Sequence, residues 1–253
     1  MKKLYDKNEL SFALLMIMIY VVGTVFAEAA SAMIGINKLL PAVFHVAFTA
    51  VLLTWIRKQG LTKKIRTYPT GISTEKGLVF WPLILIAGFG LLCGIEFRYS
   101  AFECALFMIS MLCVGFLEEI IFRGFLFLGM AKNNTKEAIV VSSMTFGIGH
   151  IVNLLNGAPL LGTLMQIIFA VAVGFTLVLL FYKGGSLLPC IVFHSLNNAF
   201  SVIEKTNAEV AKSLNMSETS LEMTLVACFV ALLAIYCVFC LKKLEPGREQ
   251  DLS

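Results

Sequence analysis

Two adjacent carboxylates and a guanidinium lie inside one long apolar and aromatic run of the sequence. Phe, Leu and Ile surround Glu118, Glu119 and Arg123 in this run. A charge near the middle of a bilayer costs roughly 2.5–3.5 kcal/mol on insertion scales, so charges in such a run indicate function. On a helix, Glu119 and Arg123 are i and i+4 and can neutralise each other, whereas Glu118 has no cation at helical spacing. The pattern therefore leaves Glu118 available for chemistry.

The three histidines of the chain lie in other apolar runs. His150 follows Phe146 by one helical turn, and an aromatic ring there would shield the imidazole from water. His194 and Asn198 are i and i+4, so both project from one helix face. His45 has no charged partner at helical spacing, and we interpret it as a core group that donates to a backbone carbonyl.

Each of these polar groups needs a partner, because an unsatisfied polar group in lipid costs several kcal/mol. Taken singly, they are explained as hydrogen bonds that join membrane helices. Taken together, a carboxylate, two imidazoles and a carboxamide on three helices predict one polar cavity within the membrane. A Glu beside His residues, with an Asn able to donate to an oxyanion, is suited to activating water against a carbonyl.

The elements that position these groups are predicted from the composition. The chain has 253 residues, 58% of them apolar and 14% charged, which is typical of an integral membrane protein. A span needs about 20 largely apolar residues. Eight spans are predicted: Leu10–Ile36, Leu39–Ile56, Leu78–Ile95, Ala101–Met130, Ala138–Leu155, Leu160–Tyr182, Gly185–Ile203 and Leu221–Leu241. We therefore expect an all-α, polytopic membrane helical bundle in one domain, 1–253, whose fourth span tilts, bends or protrudes.

The distribution of basic residues predicts the orientation. If both termini are cytoplasmic, fifteen of the twenty Lys and Arg lie inside and four lie outside. The net charge of +4 is modest and confined to loops, which argues against a nucleic-acid partner. The seven cysteines lie in or beside apolar runs, so we interpret them as small buried hydrophobes.

The three motifs, EExxxR from Glu118, FxxxH ending at His150 and HxxxN from His194, occur in this order on separate apolar segments. The pattern resembles the CPBP intramembrane protease family, the CAAX-protease and bacteriocin-processing group also called Abi. The resemblance covers about 101–203, which would be the protease core.

The resemblance implies a role for each matching residue. Glu118 and His150 would hold the attacking water, and His194 with Asn198 would stabilise the oxyanion. Glu119 and Arg123 would form a structural ion pair. The family is often labelled metalloprotease, and Glu118, His150 and His194 are the protein ligands if zinc is bound. Because HExxH is absent and Asn is a poor zinc ligand, we expect that no cofactor is required, with zinc as the alternative.

The function that follows is intramembrane endopeptidase activity on a peptide or membrane-protein substrate, in peptide maturation or bacteriocin self-immunity. The alternatives are a membrane transporter or a peptide-binding immunity protein in which the polar cluster binds cargo without cleaving it. The expected location is the cell membrane, with the lipid bilayer as surroundings; the sequence leaves the oligomeric state open. We expect Glu103 near the outer interface. Glu28 either lines the cavity mouth or marks where the first helix leaves the bilayer.

Overall fold

The structure, a computed structural model, describes residues 1–67 and 79–243. These residues form helices and no strand, apart from one isolated antiparallel bridge between Ile95 and Glu204. The α-helices are α1 Lys2–Lys7, α2 Glu9–Ile34, α3 Leu39–Lys58, α4 Thr62–Ile65, α5 Trp81–Ala87, α6 Ala101–Glu118, α7 Leu128–Ala131, α8 Thr135–Ile148, α9 Leu160–Gly184, α10 Leu188–Phe200, α11 Asn207–Ser213 and α12 Glu218–Lys243. The all-α prediction is confirmed.

Six helical stretches in the described part are long and apolar enough to cross a membrane: Glu9–Ile34, Leu39–Lys58, Ala101–Ala131, Thr135–Asn156, Leu160–Gly184 and Glu218–Lys243. The predicted count of eight is not confirmed, because the third and seventh predicted spans form shorter helices. In the third, α5 ends at Gly88 and a 3₁₀ helix, Phe89–Cys93, ends at Gly94 with a φ of 121°. In the seventh, Gly185 at a φ of 72° precedes the 13-residue α10. Leu78, the first residue of the third predicted span, lies outside the described residues, as do Lys76 and Arg248, two of the basic residues counted as cytoplasmic.

Local sequence signals set the ends of the long helices. The Asn8 side chain accepts from Ser11 N at 2.9 Å, which caps the start of α2. Ser100 and Glu103 form a capping box at the start of α6. Glu103 is thus placed at a helix terminus, where its carboxylate also accepts from Asn37.

The fourth predicted span is one continuous helical stretch with an irregular middle. Between α6 and α7, residues Glu119–Phe127 form a π-helix, and all nine are buried. The Ser142 hydroxyl of α8 donates to the Phe122 carbonyl of this segment at 3.0 Å. π-Helical turns occur frequently at functional sites.

Ion pairs and hydrogen bonds mark the two ends of the bundle. At one end Glu9 pairs with both Lys64 and Lys132, so the chain after α3 and the chain after α7 lie beside the start of α2. At the other end Glu96 N donates to Ile203 O at 2.8 Å. The functional residues lie between these two ends of the bundle.

Candidate active site

Glu118 lies where α6 passes into the π-helix, and its partners come from two other helices. Tyr20 of α2 donates its hydroxyl to Glu118 Oε1 at 2.6 Å. His194 of α10 places Nε2 at 3.5 Å from Glu118 Oε2. Neither Arg123 nor a lysine of the described chain forms an ion pair with Glu118, so no permanent cation neutralises it directly.

Glu119 and Arg123 form a completely buried ion pair. Arg123 Nη1 donates to Glu119 Oε1 at 2.9 Å, and Nη2 donates to the Gly174 carbonyl at 3.3 Å. The guanidinium also lies 4.4 Å from the centroid of the Phe146 ring. These contacts hold the positive charge away from Glu118.

Glu119 has a second partner, which the motif alone does not indicate. His194 Nδ1 lies 2.9 Å from Glu119 Oε1. A carboxylate that neutralises Arg123 is ionised and can only accept, so Nδ1 of His194 carries a proton. His194 Nε2 is therefore the nitrogen that can exchange a proton with Glu118.

His150 lies on a 3₁₀ helix, Gly149–Asn156, that continues α8. Its Nδ1 is 3.2 Å from the Phe146 carbonyl, which can only accept, so Nδ1 is the protonated nitrogen. The lone pair of Nε2 is then free to accept from water. The Phe146 ring makes edge contacts with both His150 and His194, at centroid distances of 5.6 and 5.5 Å.

Asn198 lies one turn after His194 on α10 and is half-buried. Its backbone carbonyl accepts from Ser201, but its side-chain amide has no hydrogen-bond partner among the residues that the structure describes. The amide is therefore free to bind another molecule.

A cavity of about 460 Å³ connects most of these groups. Glu118, His150 and Asn198 all line it, together with Tyr20. His194 is not on the cavity wall and touches the site through Glu118. The structure thus brings three of the four predicted catalytic residues to one cavity and places the fourth directly behind Glu118.

Two close helix contacts fix this arrangement. A Cβ on Gly115 would lie 2.4 Å from Ser195 N, so α6 and α10 cross there with backbones in contact. A Cβ on Gly147 would lie 2.8 Å from Val171 N, which brings α8 against α9. The Ser195 hydroxyl donates to Leu112 O across the first crossing at 2.9 Å. Ser195 is thus a packing hydroxyl.

Sequence reasoning missed Tyr20, because nothing in the first apolar run distinguishes this tyrosine from an interfacial one. It also gave His45 the wrong partners. His45 Nδ1 contacts the Ser110 hydroxyl at 2.8 Å and Nε2 contacts the Thr24 hydroxyl at 3.0 Å, so its partners are side chains of other helices. Glu28, which the sequence left between two positions, lines the cavity and pairs with Lys38.

As placed, the described residues form no ready zinc site with three protein ligands. They contain no group of three His, Cys, Asp or Glu side chains that converge as metal ligands. His150 uses only Nδ1 on its own helix and Tyr20 engages only Oε1 of Glu118, so His150 Nε2 and Glu118 Oε2 stay open.

Comparison with known proteins gives one match. Residues 99–200 match the family model described as type II CAAX prenyl endopeptidase Rce1-like. No curated protein and no solved structure matches the chain. The matched segment contains Glu118, His150, His194 and Asn198 and confirms the resemblance seen in the motifs. Residues 99–200 are therefore similar to the Rce1-like family of type II CAAX prenyl endopeptidases.

Proposed function

We propose that the protein hydrolyses peptide bonds within the membrane, with water activated by Glu118 and His150. The Glu118 carboxylate takes a proton from water, and the hydroxide adds to the scissile carbonyl carbon. The tetrahedral intermediate then breaks its C–N bond as Glu118 returns the proton to the leaving nitrogen. The reaction consumes one water and forms no covalent enzyme intermediate, and we propose that it requires no metal.

One observation carries this proposal: Glu118 and His150 line the same cavity, while the neighbouring Glu119 is buried and engaged through Oε1. Glu119 is bound by Arg123 and His194, whereas Glu118 has only a phenol and an imidazole beside it. With His150 Nδ1 bound to the Phe146 carbonyl, Nε2 can accept from the water that Glu118 deprotonates. This division gives one glutamate a structural task and the other a chemical one.

For the oxyanion we propose Asn198 as the principal donor. Its amide faces the cavity without another side-chain partner in the described chain. His194, the second donor that the resemblance implies, lies behind Glu118, so we propose that it holds the Glu118 carboxylate, with Glu119 compensating its charge when Nε2 is protonated. Donors placed in advance at a developing negative charge are worth about 10²–10³ in rate each.

The proposed substrate is a peptide or a membrane protein, as the CAAX-type family implies. Two roles agree with the resemblance in the motifs: maturation of a peptide and self-immunity against a bacteriocin. A transporter or a non-cleaving immunity protein would use the same cavity to bind cargo, and the experiment below separates these classes.

We also propose that the chain crosses the cell membrane eight times with both termini in the cytoplasm. Lys64 and Lys132 meet Glu9 at one end of the bundle, yet only one long helix, Ala101–Ala131, lies between them. The segment containing α5 must therefore carry the chain to the opposite end. Leu187 N binds Arg66 O at one end of α10, and Glu204 pairs with Ile95 at the other end. The segment containing α10 therefore also runs from one end of the bundle to the other.

The test compares Glu118→Gln with wild type in the purified protein. The probes are a quenched fluorescent peptide that ends in a farnesylated cysteine followed by three residues, and its unprenylated twin. Removing a general base costs about 10²–10⁴ in rate, so we expect at least a 100-fold loss. Glu137→Gln is the matched control, because Glu137 is exposed and its side chain has no bonded partner in the described residues.

Full cleavage by Glu118→Gln would show that Glu118 is not the base. If wild type cleaves neither probe, the peptides that accumulate in cells carrying Glu118→Gln are compared with those of wild type. No difference between these peptide pools would contradict proteolysis and favour cargo binding.

A further inference from the structure

The shortest contact to Glu118 comes from a part of the chain outside the family match. Tyr20 lies on α2, 79 positions before the matched segment begins, and its hydroxyl donates to Glu118 Oε1 at 2.6 Å. The tyrosine is buried, with 7% of its surface exposed. A short hydrogen bond from a buried phenol to a carboxylate fixes one oxygen of that carboxylate.

A chain of three hydrogen bonds ends at the backbone carbonyl of Tyr20, and the direction of each bond follows from the groups involved. The Thr24 hydroxyl donates its only proton to the Tyr20 carbonyl at 2.8 Å, so its oxygen must accept from His45 Nε2. A neutral His45 then accepts at Nδ1 from the Ser110 hydroxyl. The chain of bonds runs from Ser110 through His45 and Thr24 to Tyr20.

This chain joins three helices behind the tyrosine. Ser110 belongs to α6, His45 to α3 and Thr24 to α2, and the imidazole of His45 lies 5.8 Å from the Tyr20 ring. His45 is 1% exposed and Ser110 is completely buried. A buried network with all its members satisfied specifies one arrangement. This network favours a role for Tyr20 beyond filling space in the core.

We propose that Tyr20 is a positioning residue for Glu118, which deepens the proposed function and rests on it. The phenol binds Oε1 and fixes the rotation of the carboxylate. Oε2 is then the oxygen that faces His194 and takes the proton from water. Because a misplacement of about 1 Å can cost about 100-fold in rate, loss of this restraint lowers turnover and leaves substrate binding unchanged.

The test is Tyr20→Phe, which removes only the hydroxyl, with Tyr236→Phe as matched control. Tyr236 is buried to the same degree, with 6% exposed, and donates to the Val79 carbonyl at 2.8 Å. Both substitutions therefore delete one buried phenol hydrogen bond, but only one bond ends on Glu118. The measurements are kcat and KM on the cleaved probe peptide, with the melting temperature of each variant.

We expect kcat to fall at least tenfold in Tyr20→Phe with KM within twofold of wild type. In Tyr236→Phe both constants should stay within twofold, while the two melting temperatures fall alike. A Tyr20→Phe variant with kcat within twofold of wild type overturns the proposal. An equal loss of kcat in both variants also overturns it, because the effect would then be general destabilisation.

Failure of this proposal is distinguishable from failure of the proposed function. Full activity in Glu118→Gln removes the general base itself, whatever Tyr20→Phe shows. Full activity in Tyr20→Phe with an inactive Glu118→Gln removes only the positioning role. If Tyr20→Phe does not fold, Thr24→Val deletes the hydroxyl that fixes the Tyr20 carbonyl; it should lower kcat severalfold, and an unchanged kcat would overturn the proposal.

Discussion

At the scale of single residues, the hydrogen-bonding capacity of the Glu119–Arg123 pair is satisfied only in part. Both side chains are completely buried, yet Glu119 Oε2 and Arg123 Nε have no hydrogen-bond partner in the described chain. Taking two charges out of water is costly, so we attribute the role of this pair to the contacts it organises rather than to stability. Here it holds His194 through Glu119.

Arg123→Met is expected to destabilise the protein by about 3–5 kcal/mol, because it leaves the Glu119 charge buried without a cation. The double variant Glu119→Gln, Arg123→Met should recover more than half of that loss, since the stranded charge is gone. Unfolding in detergent, followed by circular dichroism, measures both. Lys132→Met breaks an exposed pair with Glu9 and should cost less than about 1 kcal/mol. A loss in Arg123→Met no larger than this control would contradict the assignment.

At the scale of elements, the crossing of α6 and α10 sets the distance between Glu118 and His194. Gly115 lies one turn before Glu118, and Ser195 directly follows His194. A Cβ at position 115 would meet Ser195 backbone atoms at 2.4 and 2.6 Å, so the helices cannot remain this close with any other residue. The glycine thus acts on the site through helix spacing.

Gly115→Ala is expected to push α10 outward and lower kcat at least tenfold, with a loss of thermal stability. Gly162→Ala is the control, because it adds the same methyl group to α9 where the nearest atom, Pro159 Cγ, is 3.7 Å away. The control should be neutral or stabilised by about 0.5–1 kcal/mol. Cleavage rates and melting temperatures are measured for both variants. An active, stable Gly115→Ala would show that the site tolerates a wider spacing of α6 and α10.

Helix caps and glycines explain which helices the sequence predicts and which it does not. Long apolar runs with polar caps, such as those bounded by Asn8 and Ser100, give α2 and α6 directly. The run through Gly88 and Gly94 was predicted as one span from hydropathy alone. Hydropathy does not register that Gly94 takes a φ of 121°, where the 3₁₀ helix ends.

At the scale of the whole molecule, the number of crossings decides which loops share a side of the membrane. If α5 and α10 cross, Asn133 lies in the cytoplasm and Ser213 lies outside. If neither crosses, Asn133 and Ser213 lie on the same side. Both residues are exposed and close to helix ends, so a thiol at either position should be accessible to a reagent.

We expect a membrane-impermeant maleimide to label Ser213→Cys in intact cells and Asn133→Cys only after permeabilisation. The background carries Cys93→Ser and Cys228→Ser, because these are the exposed native thiols of the described chain. The same background without a new cysteine gives the control signal. Equal labelling of both positions in intact cells would contradict eight crossings.

The sequence by itself determined the membrane class, the helical architecture and the residues able to do chemistry, because hydropathy and helical spacing depend on near neighbours in the chain. Only the tertiary structure decided the partners. Tyr20 and Glu118 are 98 positions apart, and Glu119 and His194 are 75 apart. No local pattern encodes such pairs; they depend on how closely helices cross, and at Gly115 that distance follows from the absence of one methyl group.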